Sequence, residues 1–343
     1  MLRRHLVWRA INKSLTTFFL LIQQLMINRP LGNTGIFVSE IAFGGVEIGM
    51  PYGIGVTSQD DMLSESEAIY LLHSAIDSGI NFFDTARLYG NSEHIMGMAF
   101  KDRRDQIVLS TKCTHLRNPD GTLPDSKSLS TIIKYSLSES LKALQTDYVD
   151  IFMLHTVDEE ILNVPEISHT FSELKKSGVV RAIGASTYLP EESEKVIEAG
   201  IWDVIQMPFN LMDQRQQAFF SLASGKGIGI VIRSVLLKGL LSERGKNLHP
   251  ALKEVEVHIE SYNALLNNIS PDLPTLAARF ALSFKEVSAV LVGIDRMEYL
   301  YKSLEAADGI YMDKVQQAQA QALGFPDPEF LNLHTWNQKG WFK

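Results

Sequence analysis

A single cysteine, Cys113, in 343 residues leaves no partner for an internal disulfide and no cysteine-rich metal site. It fits a reducing, cytoplasmic compartment. The nine histidines show neither the HExxH nor the paired-cysteine spacing that a zinc centre requires. Basic charge is also in deficit, with 32 Lys and Arg against 40 Asp and Glu, a net charge of −8 and a pI near 5.6. Nucleic acid needs a basic face to bind phosphates, so that class of partner is excluded. No apolar run is long enough to cross a bilayer: Leu15 to Ile27 is short and broken by Gln23 and Gln24. No GxGxxG follows the first strand-like segment, and no GxxxxGK[ST] occurs, which removes the Rossmann and P-loop modes. Gly53-Ile54-Gly55 leads into no helix and reads as loop. With 45% apolar and 21% charged residues, the chain has enough apolar material for a sizeable core and is no disordered polymer.

Acidic residues are absent from the first 39 positions, where Arg3, Arg4, Arg9 and Lys13 stand without a counter-charge. No small-residue cleavage site marks a signal peptide, although a basic, acid-free start also resembles a transit peptide. The reading adopted is an extension, residues 1–27, outside the fold, with the folded domain occupying 28–343.

From there the pattern is regular. Asn33-Thr34-Gly35 turns between two short extended runs, Asn28 to Leu31 and Ile36 to Ser39, which predicts a hairpin. Eight buried apolar runs follow, at Ile41 to Gly44, Ile80 to Asp84, Ile107 to Thr111, Tyr148 to Leu154, Val179 to Ala185, Val204 to Gln206, Ile228 to Ile232 and Ala289 to Val292. Amphipathic helical stretches lie between them, among them Glu65 to Ser78, Ser128 to Leu144 and Gln214 to Ser224. Alternation of this kind gives a parallel barrel or a doubly wound sheet, and periodicity does not choose between them. The beat breaks once, between Ile232 and Leu273, where an extra helical stretch from Ala251 to Leu266 marks a lid or ligand-binding insertion. A further helix is expected at Met312 to Leu323, followed by an aromatic tail with Trp336, Trp341 and Phe342.

Three successive apolar runs end in or near four groups with complementary chemistry. Asp84 closes one, and Tyr89 follows five residues later in the same loop; Lys112 and His155 stand at the ends of the next two. A phenol donates a proton effectively if its pKa, about 10 in model peptides, is brought toward working pH. An ammonium nearby does this by favouring the phenolate, and a carboxylate holds the ammonium in place. Each residue alone has an ordinary use: cap, loop aromatic, snorkelling lysine, core histidine. Three successive strand ends carrying four complementary groups are much harder to reach by chance.

The stretch Asp84-Thr85-Ala86, Tyr89-Gly90, Ser92-Glu93 resembles the motif of the aldo-keto reductases. So do Arg29 to Gly35 (RPLGNTG) with Val38-Ser39, Ser110-Thr111-Lys112, Asp147 to His155 (DYVDIFMLH), Gly184-Ala185-Ser186, Gln206 to Asn210 (QMPFN) and Gly239-Leu240-Leu241. The resemblance implies an α/β fold, a (β/α)8 TIM barrel with an N-terminal β-hairpin closing the barrel bottom. It implies an NAD(P)(H)-dependent oxidoreductase that interconverts a carbonyl and an alcohol, with Tyr89 as acid, Lys112 its modulator, Asp84 the lysine's partner and His155 the carbonyl orienter. The partner is then a small-molecule carbonyl or alcohol, with sugar-like compounds among the candidates, and neither nucleic acid nor membrane.

The same resemblance places Ser186 and Gln206 on the nicotinamide amide, with Thr187 where asparagine is common. Arg233 stands where many members stack a tyrosine on the nicotinamide, and Ser234, Leu236 and Gly239 lie along the pyrophosphate. Gly293, Asp295 and Arg296 fall in the adenosine segment. Arg296 on a 2′-phosphate favours NADP(H), while Asp295 on a free ribose hydroxyl would suit NAD(H). Tyr52, Phe209, Trp202 and His115 are candidates for the substrate pocket. Two rival readings are a nucleotide-binding or redox-sensing barrel without turnover, and a lyase or isomerase forming a Schiff base on Lys112.

Overall fold

The computed structural model describes residues 26–266 and 269–341. The basic segment before Met26 and the aromatic Phe342 lie outside the described residues. Two antiparallel strands, β1 (Asn28–Pro30) and β2 (Phe37–Ser39), form the expected hairpin. Eight parallel strands follow: β3 (Ile41–Gly44), β4 (Phe82–Asp84), β5 (Val108–Lys112), β6 (Val149–Leu154), β7 (Val180–Ser186), β8 (Val204–Pro208), β9 (Gly229–Arg233) and β10 (Val287–Gly293). They close in sequence order, with β10 bonded to both β9 and β3, so the sheet is a barrel and not an open doubly wound sheet.

The interior is packed from alternate strand positions. Phe82, Val108, Ile151, Met153, Val204, Val231 and Leu291 form one cluster inside the barrel, with Leu31, Ile36 and Val38 of the hairpin plugging its base. The plug fits because glycines allow backbone approach: a Cβ on Gly32 would sit 2.3 Å from the carbonyl oxygen of Gly227, and one on Gly229 would meet Leu31 at 2.7 Å. Arg29 pins the hairpin from the side, donating to Glu40 Oε1 (2.6 Å) and to the carbonyls of Leu282 (2.9 Å), Phe284 (3.1 Å) and Val287 (2.8 Å).

The helices pack outside, each from a readable local code. In the helix Ser126–Leu144, Asp125 caps the first turn by accepting from the Ser128 amide at 3.1 Å. Such a cap contributes about 1 kcal/mol. Leu129, Ile133, Leu137, Ser140 and Leu144, spaced three and four apart, face the barrel, and Gln145 ends the helix in the left-handed conformation at φ 52°. Helix Glu65–Asp77 opens with a reciprocal Ser64–Glu67 capping box.

Three helical stretches differ most from the sequence reading. The helix expected at 214–224 divides into a 3-10 segment, Arg215–Phe219, and a helix, Phe220–Gly225. The insertion after β9 holds a helix at Lys253–Ser261 flanked by single 3-10 turns, Pro250 directing the first. The late helix is Lys314–Gln321, started by Asp313, which accepts from the amides of Val315 and Gln316. Among the described residues no helix is long and apolar enough to cross a membrane.

Candidate active site

Parallel strands place all their C-terminal ends on one rim, so the polar residues that terminate them are gathered without long-range coincidence. Asp84 pairs in register with Ser110, Lys112 with Met153, and Ser186 with Gln206. His155 follows β6 directly. The four strand-end groups singled out in the sequence are thereby brought together.

Lys112 is the most constrained of them, 1% exposed and ion-paired to Asp84 Oδ2, with a second bond to the carbonyl of Thr85 at 3.1 Å. Asp84 also accepts from Ser110 Oγ at 2.9 Å and Gln206 Nε2 at 3.2 Å on its other oxygen. Three donors on one buried carboxylate fix its orientation and that of the lysine beside it. Burial pulls the Lys112 pKa down, and the charge of Asp84 opposes that pull.

Tyr89 reaches the pair from the loop after β4. Gly90, at φ +53°, makes that loop possible: a Cβ there would lie 2.2 Å from the carbonyl oxygen of Gly49. The Lys112 ammonium stands 5.0 Å from the Tyr89 ring centre, and His155 packs edge-on to the same ring at 5.4 Å and 81°. Glu93, buried below, accepts from Thr111 Oγ1 at 2.7 Å and pairs with Arg87, tying the loop's helix to β5.

The protonation of this cluster differs from the expectation that Lys112 lowers the phenol. Burial foremost, and then the carboxylate of Asp84, push the Tyr89 pKa upward. The lysine's charge is already matched by Asp84, so it does not offset the effect of burial on the phenol. Tyr89 is therefore a neutral, proton-bearing phenol. His155 is pushed down to about 2, by burial first and then by Lys112, His115 and Arg233. It is a neutral imidazole whose buried Nδ1 has no hydrogen-bond partner. A neutral phenol and a neutral imidazole converging above a buried ammonium can both donate to one oxygen and stabilise the anion left behind.

Asp84, Tyr89 and His155 open into one cavity of ≈ 460 Å³ that runs across the rim to the segment after β10. Of the predicted nucleotide contacts, Ser186, Gln206, Arg233, Ser234, Leu236, Gly239, Gly293 and Asp295 line it. Arg296 does not; it turns back onto Asp295 at 3.1 Å and lies over the Tyr299 ring at 5.0 Å. Thr187 also faces away, its hydroxyl bonded to Ser193 at 2.7 Å. Tyr52 lines the cavity as expected. Phe209 and Trp202 do not belong to the substrate pocket: Phe209 is buried among Phe220, Phe280 and Phe284, and Trp202 against Phe171. Phe209 follows β8 and Trp202 precedes it, and the barrel–helix core takes both. His115 stacks on His155 at 5.2 Å and bonds Thr156, outside the cavity lining.

The sequence reading missed Glu47, Tyr188, Lys238 and Arg244, all of which line the cavity. The loop after β9 carries the nearest thing to a signal, the segment Ser234 to Gly239, in which Ser234, Leu237 and Lys238 all adopt positive φ. Non-glycine residues in that region are strained and concentrate at ligand sites. Arg233 is held in place by the carbonyl of Thr187 (2.6 Å) and Ser234 Oγ (3.0 Å), over the ring of Tyr188. Lys238 lies over Tyr52 at 4.7 Å. Neither cation has a carboxylate partner among the described residues, although the protein as a whole is acidic. Two uncompensated cations beside a polar cleft fit an anionic diphosphate.

A parallel eight-stranded barrel whose strand-end cluster opens into such a cleft defines a barrel oxidoreductase. The chain belongs to the aldo/keto reductase family, whose model matches residues 40–323. It is 30% identical over 300 residues to an uncharacterized oxidoreductase, YqkF, of Bacillus subtilis (strain 168), covering 82% of this chain and 92% of that one. It is 29% identical to L-galactose dehydrogenase of Arabidopsis thaliana (86% and 93% covered) and 28% to an NADH-specific methylglyoxal reductase of Escherichia coli (strain K12) (81% and 92%). Among solved structures, the holo form of the aldo-keto reductase AKR11C1 from Bacillus halodurans matches with a TM-score of 0.74 at 26% identity, covering 87% of this chain and 96% of that one.

Proposed function

We propose that the protein reduces a small carbonyl compound to an alcohol, or runs the reverse, with a nicotinamide dinucleotide in the cleft. The observation that carries this reading is the continuity of one cavity from the Tyr89–His155 cluster to the unpaired cations Arg233 and Lys238. When bound, a reduced nicotinamide supplies the hydride to the carbonyl carbon. The chain's own part is proton transfer and orientation. The carbonyl oxygen accepts from the Tyr89 phenol and from the His155 ring N–H. As charge develops on that oxygen, the phenol proton moves to it, and the phenolate that remains faces the Lys112 ammonium. Gln206 and Ser186 would hold the nicotinamide amide, with Gln206 also steadying Asp84. The relatives' names span a sugar dehydrogenase and a small-aldehyde reductase, and small aldehydes and sugars are the substrates to try first.

The sequence put NADP(H) first because of Arg296. The side-chain pairings support NAD(H) instead. At the β10 end each cation already has an acid: Arg296 and Arg244 share Asp295 (3.1 and 3.8 Å), and Lys302 pairs with Glu298 (3.1 Å) and Asp272 (3.8 Å). Among the described residues a 2′-phosphate would find no free cation there and would face Asp295, whereas a ribose hydroxyl can donate to that carboxylate. Titration by quenching of tryptophan fluorescence is expected to give a Kd for NADH about tenfold below that for NADPH, the equivalent of about 1.4 kcal/mol. Tighter binding of NADPH would return the 2′-phosphate to Arg296. Failure of both to bind would remove the oxidoreductase reading.

A further inference from the structure

Of the two cations in the cleft that have no carboxylate partner among the described residues, Arg233 is the one fixed at the catalytic end. It closes β9, and its backbone pairs in register with Pro208 of β8, just beyond Gln206. Gln206 pairs in turn with Ser186 of β7. The guanidinium is tied to the same corner. Nη2 donates to the carbonyl of Thr187, the residue after Ser186, at 2.6 Å, and Nη1 donates to Ser234 Oγ at 3.0 Å. The Tyr188 ring supports one face, its centre 4.1 Å from the guanidinium carbon, and both side chains line the cavity. The charge is felt at the reacting end as well, since it is among those that lower the pKa values of Lys112 and His155. Lys238 belongs instead to the strained turn further along the loop, over Tyr52.

A positive charge is thus held rigidly beside the two residues assigned to the nicotinamide amide. Asp84, the acid of the catalytic cluster, does not cancel it, because Asp84 is already matched by Lys112. The nicotinamide ring changes charge in the reaction. It is neutral while reduced, and it becomes a pyridinium cation once it has given a hydride, with both bonding electrons, to the carbonyl carbon.

We propose that Arg233 is a specificity-determining residue that discriminates between the two redox states of the nucleotide, its fixed charge disfavouring the oxidised ring and sparing the reduced one. The inference rests on the reading of the cleft as a nicotinamide dinucleotide site with the amide at Ser186 and Gln206. The two forms share adenosine, diphosphate and both riboses, so contacts made there, by Lys238 included, cancel from the ratio of their affinities. The difference at the ring remains. Repulsion between two unit charges a few Å apart, weakened by solvent at a half-buried guanidinium, leaves about a tenfold preference for NADH over NAD+. Linkage adds two consequences. A tenfold preference for the reduced form raises the potential of the bound couple by about 30 mV. Spent NAD+ also leaves readily, so it inhibits reduction only weakly.

The experiment is calorimetric titration of NADH, NAD+ and ADP-ribose into the full chain and into Arg233→Gln and Arg233→Lys. Glutamine keeps a planar polar group and removes the charge, whereas lysine keeps the charge and loses the plane. The parent should bind NADH about tenfold more tightly than NAD+. The two affinities should converge in R233Q, chiefly because NAD+ binds better, and stay apart in R233K. ADP-ribose, which carries the diphosphate without the ring, should bind all three proteins alike. A parent that binds NAD+ as tightly as NADH overturns the proposal whatever the variants do. A preference that persists in R233Q overturns it too, and a matching loss of ADP-ribose affinity would move Arg233 to the diphosphate. The dinucleotide reading stands in both cases. A preference lost in R233K as well as in R233Q would belong to the shape of the guanidinium, which also overturns the proposal. No binding of NADH, NADPH or either oxidised form removes the dinucleotide reading and the proposal together.

Discussion

Tyr89→Phe should lower kcat by about 10²- to 10⁴-fold, the range that a positioned general acid supplies. Nucleotide affinity should change little, because phenylalanine keeps the ring that packs edge-on against His155 and removes only an oxygen that matters as charge develops on the carbonyl. KM for the carbonyl substrate should move much less than kcat. The direction of the pKa shift adds a second expectation. Burial and Asp84 hold the Tyr89 phenol protonated, so reduction, which needs the proton in place, should show no loss of rate from Tyr89 ionisation through the neutral range. Steady-state rates with a small aldehyde, together with Kd by fluorescence, check both points. Parental turnover in Tyr89→Phe would move the proton donor elsewhere, with His155 the next group to examine.

Lys112→Met should be damaging twice over. It removes the cation that faces the nascent phenolate, and it leaves Asp84 buried with Ser110 and Gln206 as its remaining side-chain donors. Breaking a buried pair by deleting one member typically costs about 3–5 kcal/mol, because the surviving charge is uncompensated. The variant should therefore melt well below the parent and be close to inactive. Lys112→Met combined with Asp84→Asn separates the two effects, since a neutral amide in place of the carboxylate restores much of the stability without restoring the cation. Recovery of Tm with activity still lost places Lys112 in the chemistry. Recovery of both would make it a structural residue only.

How far these residues could be read in advance depended on where they sit. Strand ends were legible because β4, β5 and β6 are short, fully buried runs that deliver the residues at their ends to the rim. Asp84 and Lys112 end the first two and His155 follows the third, and the parallel register does the rest. The choice between a closed barrel and an open sheet was not legible from periodicity, because both bury their strands on two sides. It is settled by the bonds from β10 back to β3. Loop residues were the hardest. Lys238 and Arg244 enter the cleft because the segment after β9 folds over it with three left-handed residues, a path that no repeating pattern encodes. Glu47 was passed over as one more polar residue after a strand. Only the packing over Gly293 reveals that its carboxyl is trapped. Arg296 shows the converse difficulty. Its side chain could reach a phosphate by sequence position, yet its nearest acid is its own neighbour.

The central claim is that a carbonyl is reduced in this cleft by hydride from a nicotinamide, with Tyr89 providing the proton. The most direct measurement supplies dihydronicotinamide dinucleotide deuterated at the transferring carbon, together with a small aldehyde such as methylglyoxal or glyceraldehyde. Mass spectrometry then follows the label in the product alcohol. The account predicts one deuterium on the former carbonyl carbon, a product hydroxyl whose proton exchanges with solvent, and loss of labelled product in Tyr89→Phe. Nucleotide that binds tightly but transfers no deuterium to any aldehyde or sugar tried would contradict it, and would leave a nucleotide-binding barrel without reductase chemistry.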